Sequence, residues 1–226
     1  MKFTTILLDL DDTLLDFNIA EKVALPKALR EFGVEPTEAT LQRYHDINIA
    51  QWEAFERGEL SRERVLIRRF ELLFEELGLS VNAHACEDRY RHYLGVGHYF
   101  VEGAEALLEY LAPKYKLYLA SNGVAETQYS RLESAGIGHY FEEIFISETT
   151  GYHKPQREYF NYCFARIPNF EPDKTLIIGD SLSSDILGGK NAGIHTCWCN
   201  WKHLPPRPDI IPDFEIHSLS ELHTLL

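Results

Sequence analysis

Three aspartates crowd one short stretch, Phe3-Thr4-Thr5-Ile6-Leu7-Leu8-Asp9-Leu10-Asp11-Asp12-Thr13-Leu14. The apolar run before Asp9 reads as a buried parallel strand, and such strands carry functional residues at their C-terminal ends. Asp9 and Asp11 alternate with Leu10, so in an extended chain both carboxylates point to one side. So much acid at a strand end resists burial unless a cation neutralises it. A hard divalent cation and chemistry on a phosphate are the natural use of such a pair. An acidic turn or a helix cap would look the same on this segment alone, so the rest of the chain decides.

Three later stretches offer complementary chemistry. Ser121-Asn122-Gly123 supplies a hydroxyl, an amide and backbone N–H groups suited to an anion. In Gly151-Tyr152-His153-Lys154-Pro155, the residue before proline is held extended, and Pro155 fits a first helical position. Lys154 there can offset carboxylate repulsion and hold a phosphoryl oxygen. Gly179-Asp180-Ser181-Leu182-Ser183-Ser184-Asp185 adds two more acids. Asp185 also suits a first helical turn, with Ser183 or Ser184 as cap, whereas Asp180 has no comparable structural reason.

The elements that must position these residues alternate between short apolar strands and amphipathic helices, the pattern of a doubly wound α/β sheet. Strands are predicted at Thr4–Leu8, Lys116–Ala120, Glu143–Ile146, Thr175–Ile178 and Ile194–Cys199, with a short addition near Asp213–Ile216. Helices fit at Glu102–Leu111, Ala125–Ala135, Arg157–Ala165, Ser184–Asn191 and Ser218–Leu225. One interval breaks the alternation: from about Asn18 to Val96 only helical periodicity appears, as in Leu66, Phe70, Leu73, Phe74 and Leu77. A second helix is marked by Leu41, Tyr44, Trp52 and Phe55, and Gly58 closes it before an N-cap at Ser61. The expected division is an α/β core of residues 1–16 and 98–226 around a helical insert of residues 17–97.

A net charge of −13 argues against a nucleic-acid polymer as the main partner, while a bound metal still permits small phosphorylated ligands. No run is long enough to span a bilayer, and no basic region precedes a long apolar stretch. Cys86, Cys163, Cys197 and Cys199 show no zinc spacing, so a reduced cytoplasm is the expected setting. The ten histidines form no ligand motif.

The order and wording of the four motifs resemble the haloacid dehalogenase superfamily of phosphohydrolases. The matching residues are Asp9-Leu10-Asp11-Asp12-Thr13-Leu14, Ser121-Asn122, Lys154-Pro155, and Gly179-Asp180 with Asp185. The resemblance implies a Rossmann-like parallel sheet, and it makes the helical insert a cap domain of the C1 type. It implies that Asp9 attacks phosphorus to form a phosphoaspartate and that Asp11 protonates the leaving alkoxide, then activates water. Asp9, the backbone carbonyl of Asp11, and Asp180 would hold Mg²⁺, with Asp185 supporting the metal or its waters. Ser121 and Lys154 would position the phosphoryl group, Thr13 would brace the first loop, and Asn122 would join it in binding substrate. Many relatives carry glycine where this chain has Asp12. Relatives that dehalogenate carbon lack an acid at the position of Asp11, so its presence implies a phosphatase.

The segments Trp52-Glu53-Ala54-Phe55-Glu56-Arg57-Gly58-Glu59-Leu60 through Arg68-Arg69-Phe70, and Ile146-Ser147-Glu148-Thr149-Thr150-Gly151-Tyr152-His153-Lys154-Pro155, are similar to a branch of pyrimidine 5′-nucleotidases. That similarity implies a nucleoside 5′-monophosphate as substrate, with Arg57 or Phe17 as candidates to meet it. A solvated helix end explains Arg57 equally simply. Within the same fold, a sugar-phosphate phosphatase or a phosphomutase is an alternative. A receiver-like phosphoaspartate switch is another, although such domains are shorter and lack a proton-transferring acid two residues after the nucleophile.

Overall fold

The computed structural model describes residues 3–226 and divides the chain into two units: Asn18–Gly97, and a second unit assembled from the segments on either side of it. The flanking segments form an α/β core with a parallel sheet, and the inserted unit is a helical cap. In chain order, strand β1 (Thr5–Leu8) is followed by helices α1 (Phe17–Glu31), α2 (Glu38–Glu56), α3 (Arg62–Glu76) and α4 (Ala83–Gly95). The alternation then resumes with α5 (Ala104–Leu111), β2 (Lys116–Ser121), α6 (Ala125–Ala135), β3 (Glu143–Ile146), α7 (Ser147–Thr150) and α8 (Arg157–Phe164). It ends with β4 (Thr175–Gly179), α9 (Leu187–Ala192), β5 (His195–Cys199), β6 (Phe214–Ile216) and α10 (Leu222–Leu225).

The strands form one parallel sheet in the order β3-β2-β1-β4-β5-β6. Strand β1 is central because its four residues are apolar or small enough to be buried on both faces. Ile6 and Leu8 join Leu117, Leu119, Leu176 and Ile178 under α5, while Leu7, Tyr118 and Ile177 face Tyr159, Phe160 and Cys163 of α8. This two-sided burial is why the strands read as continuous apolar runs rather than alternating ones. Each such side chain contributes about 1.5–3 kcal/mol on leaving water. Cys197 packs in β5 as a hydrophobe, its thiol pushed up to about 12 by burial.

Register places the chemistry. Leu8 lies opposite Leu119 of β2 and Ile178 of β4, so the residues that follow these three strands emerge at one level. The sheet order departs in both directions from β1, which is where a doubly wound sheet opens its ligand crevice.

Several boundaries shift from the sequence expectation. Strands β2 and β4 each run one residue further, to Ser121 and Gly179. Helix α5 starts at Ala104 because Gly103, at φ 84°, turns the chain in a left-handed conformation before it. Pro155 is not a first helical residue, since α8 begins at Arg157 with Gln156 as its N-cap. After β4 the chain enters a short π-helix at Leu182–Ile186, and its cap is Ser181 rather than Ser183 or Ser184.

Within the helical unit, Val65, Phe70, Leu73 and Phe74 of α3 are buried, whereas Leu77 is 40% exposed at the helix end. Ser61 caps α3, its hydroxyl accepting from the Arg64 N–H at 3.3 Å. This unit also buries charge. Arg69 sits among the rings of Tyr44, Phe70 and Tyr90, at 5.8, 5.8 and 5.0 Å. Its Nη1 donates to Asn48 Oδ1 and its Nη2 to Glu87 Oε2, both at 2.8 Å. Asn48 in turn donates to Glu21 at 3.0 Å, and Glu21 meets His45 at 2.7 Å.

Candidate active site

Asp9 continues β1 beside β4, its backbone N–H donating to the Ile178 carbonyl at 3.0 Å. Its carboxylate accepts from Lys154 Nζ at 2.6 Å. The same ammonium donates to the Ala120 carbonyl and to Asp185 Oδ1, each at 2.6 Å, so all three of its donors are engaged within the protein. Burial disfavours the charged lysine, but Asp185 and Asp9 outweigh it and hold the ammonium above the usual lysine range. Burial raises the Asp9 carboxyl, and Asp185 and Asp11 raise it further against the pull of Lys154.

Asp180 and Asp185 complete the acid cluster. Gly179 lets Asp185 approach, because a Cβ at that position would collide with the Asp185 carboxylate. The other Asp185 oxygen accepts from the Ser181 N–H at 3.1 Å. Trp198 holds the loop by donating its indole N–H to the Asp180 carbonyl at 2.8 Å. No hydrogen bond reaches the Asp180 carboxylate among the described residues, and burial, with Asp9, Asp12 and Asp185 nearby, pushes it well above the carboxylate range. Ligand oxygens of Asp9, Asp180 and Asp185 lie within 4.8 Å of one another. Three carboxylates against one ammonium leave two negative charges, which a single divalent cation balances. An all-oxygen donor set suits a hard cation. The residues therefore fit a metal.

Of the Ser121-Asn122-Gly123 turn, Ser121 is buried and its oxygen accepts from the Gly123 N–H at 3.1 Å and from Gln128 Nε2 at 2.8 Å. With both lone pairs taken, its own proton is the group left to donate. Asn122 was expected at the substrate, but both ends of its amide hold the backbone of Lys154: Oδ1 accepts from the Lys154 N–H and Nδ2 donates to the Lys154 carbonyl, each at 2.9 Å. It serves the site by fixing the lysine.

The first loop is built around Asp12, which has φ 53°, a left-handed conformation that aspartate tolerates better than most residues. The Asp12 carboxylate accepts from the Phe17 N–H at 2.8 Å at the start of α1, and its carbonyl accepts from the Trp201 indole at 2.6 Å. These bonds give Asp12 a structural role, shaping the loop between β1 and α1. Thr13 is fully buried and its hydroxyl has no hydrogen-bond partner. Asp11 lies outside the three-carboxylate cluster: one oxygen accepts from Arg131 Nη1 and the other from Gln128 Nε2 at 2.6 Å. Arg57, at the end of α2, is exposed and pairs with Glu59 at 2.8 and 3.0 Å.

Sequence reasoning missed Gln128 and Arg131. Both lie on α6 with Leu132 on its buried face, where spacing alone would call for apolar residues. Two polar residues i and i+3 apart on such a face were the available signal.

A parallel sheet whose central strand ends in a carboxylate, bound by a buried lysine and flanked by two further carboxylates, defines a metal-assisted hydrolase of the doubly wound class. The haloacid dehalogenase-like hydrolase family model matches residues 6–199. The crystal structure of YfnB from Bacillus subtilis bound to magnesium superposes with a TM-score of 0.96 at 43% identity, covering 100% of this chain and 99% of that one. Pyrimidine 5′-nucleotidase PynA of Streptococcus pneumoniae is 38% identical over 98% of this chain and 94% of its own length. Pyrimidine 5′-nucleotidase YjjG of Escherichia coli is 31% identical over 100% of this chain and 99% of its own. The chain belongs to the haloacid dehalogenase-like hydrolases, and its fold and carboxylate cluster make it a phosphatase.

Proposed function

We propose that this protein is a Mg²⁺-dependent phosphomonoesterase that cleaves nucleoside 5′-monophosphates through a phosphoaspartate on Asp9. The observation that carries the reaction is the shared ammonium of Lys154, which aims Asp9 beside two acids able to hold a cation. The substrate class is supported by the two pyrimidine 5′-nucleotidases that match this chain over nearly their full lengths. The preference for Mg²⁺ is supported by the oxygen-only donors and by the magnesium in the YfnB structure.

In this reading Asp9 forms a bond to phosphorus as the ester oxygen leaves, and Asp11 gives that oxygen a proton. Asp11 then takes a proton from the water that cleaves the acyl phosphate, so one acid serves both steps. Lys154 orients Asp9, and Ser121 donates its remaining proton to a phosphoryl oxygen. Asp9, Asp180 and the Asp11 carbonyl, supported by Asp185, would hold Mg²⁺, which supplies charge neutralisation to the phosphoryl oxygens. No membrane step is invoked, and among the described residues no helix is long and apolar enough to cross a bilayer.

A phosphate-release assay with Mg²⁺ across nucleoside monophosphates and sugar phosphates tests the substrate. Pyrimidine nucleoside 5′-monophosphates are expected to give the highest kcat/KM; a sugar phosphate ahead of them would overturn the substrate assignment and leave the reaction class standing.

A further inference from the structure

The side chain of Asp11 is held by an apparatus that reaches across the fold from α6. Arg131 Nη1 donates to Asp11 Oδ1 and, at 3.2 Å, to Gln128 Oε1. Gln128 Nε2 donates to Asp11 Oδ2 at 2.6 Å and to Ser121 Oγ at 2.8 Å. The Asp11 side chain is 32% exposed while that of Arg131 is 1% exposed, so the carboxylate faces outward with its clamp buried behind it.

Two features set this pair apart from an ion pair that serves stability. A guanidinium in its best pairing presents two nitrogens in parallel to a carboxylate. Here one nitrogen makes both bonds, and the buried Nε and Nη2 have no hydrogen-bond partner. A buried cation left so incompletely satisfied asks for a reason other than stability. The second feature is that the turn leaves room for the clamp: a Cβ on Gly123 would collide with Gln128 Nε2. Motif residues Ser121 and Gly123 are thereby tied, through Gln128, to the carboxylate of the first motif.

We propose that Arg131 and Gln128 are positioning residues that set the place of the Asp11 carboxyl for proton transfer to the leaving oxygen. The proposal rests on the reading of Asp11 as the proton donor. Each Asp11 oxygen accepts one N–H bond and keeps a second lone pair, so the clamp fixes the carboxylate and still leaves a place on it for the proton to be transferred. The clamp thereby sets the position from which that proton is delivered, and a displacement of about 1 Å in such a group lowers rates on the order of 10²-fold.

Leaving-group dependence tests it, because an alkoxide needs a proton donor and a stabilised aryl oxide hardly does. kcat/KM reports the steps up to departure of the leaving group. It is compared for an alkyl phosphate and p-nitrophenyl phosphate in the wild type, Arg131→Met, Arg131→Lys, Gly123→Ala and Asp11→Asn, with thermal melting as the folding control. Arg131→Met is expected to lower kcat/KM on the alkyl ester by about 10²-fold and on the aryl ester by less than about 5-fold. Arg131→Lys should recover part of the alkyl activity, and Gly123→Ala, which pushes the Gln128 amide aside, should show the same selectivity at smaller size. In the double variant Asp11→Asn/Arg131→Met the second change should add no further selectivity. Equal losses on both esters in Arg131→Met and Gly123→Ala would overturn the positioning role while Asp11→Asn still discriminated. If Asp11→Asn itself does not discriminate, the assignment of Asp11 as proton donor is what fails, and the proposal with it.

Discussion

Each unit of this molecule buries a group of charges, and they are balanced in opposite ways. In the helical unit Arg69 has Glu87 at 2.8 Å, an amide from Asn48, and three aromatic faces around its guanidinium. Burial pulls Glu87 upward and Arg69 pulls it back. In the α/β unit three acids share one ammonium, and Asp180 is left with burial and like charge acting together. The first group is balanced in charge by its own side chains, Glu87 pairing with Arg69 and with Arg91. The second is short of positive charge, and a parallel sheet can hold it only because a cation completes it. Buried charge alone is thus no sign of a site; uncompensated buried charge at a strand end is.

The sharpest way to break the contrast is at Asp9. Asp9→Asn should lower phosphate release by at least about 10³-fold while the melting temperature changes little, because Lys154 keeps Asp185 and the Ala120 carbonyl. Retained activity in that variant would remove the nucleophile from the site. In the helical unit the order is reversed. Arg69→Met leaves the buried Glu87 with only the partly exposed Arg91, at 3.3 Å, and should destabilise by about 3 kcal/mol in urea unfolding. Adding Glu87→Leu should restore most of that, since it removes the buried carboxylate that has lost its main partner.

A third variant asks whether the α/β cluster is a cation site. Saturating Mg²⁺ should raise the melting temperature of the wild type, by the equivalent of about 2.7 kcal/mol at one hundred times Kd, and Asp180→Asn should abolish most of that rise. An undiminished rise would place the cation elsewhere.

The smallest effect comes from an exposed pair. Arg89 and Tyr93 hold the Glu31 carboxyl down to about 2 from 4.5. A lowered folded value means that the contribution is present above 4.5 and fades as pH falls toward 2. Glu31→Gln should therefore flatten the acid limb of the stability curve slightly, and solvent screening keeps the change small.

Much of the α/β unit was legible because two-sided burial forces apolar strands, and strand ends in a parallel sheet are where acids and small polar residues gather. Asp9, Ser121, Lys154, Asp180 and Asp185 are all brought to that place. The functions of their neighbours were not legible. Asn122 reads as a phosphate-binding amide, yet its geometry is that of a brace, a distinction that depends on where the Lys154 backbone passes. Arg57 reads as a candidate for a nucleoside, and its partner is the glutamate two residues along.

By itself the sequence determined the alternation of strands and helices, the helical interruption and the acids that demand a cation. These follow from local periodicity and from the energy of burying charge. Only the tertiary structure decided which partners those acids have. Arg131 is 120 residues from Asp11, and the turn of α6 that brings them together is invisible to any spacing rule. Hydrogen bonds are short and directional, so which carboxylates gather into the metal-type cluster and which is held by Gln128 and Arg131 depends on differences of a few ångströms that only a packed fold sets.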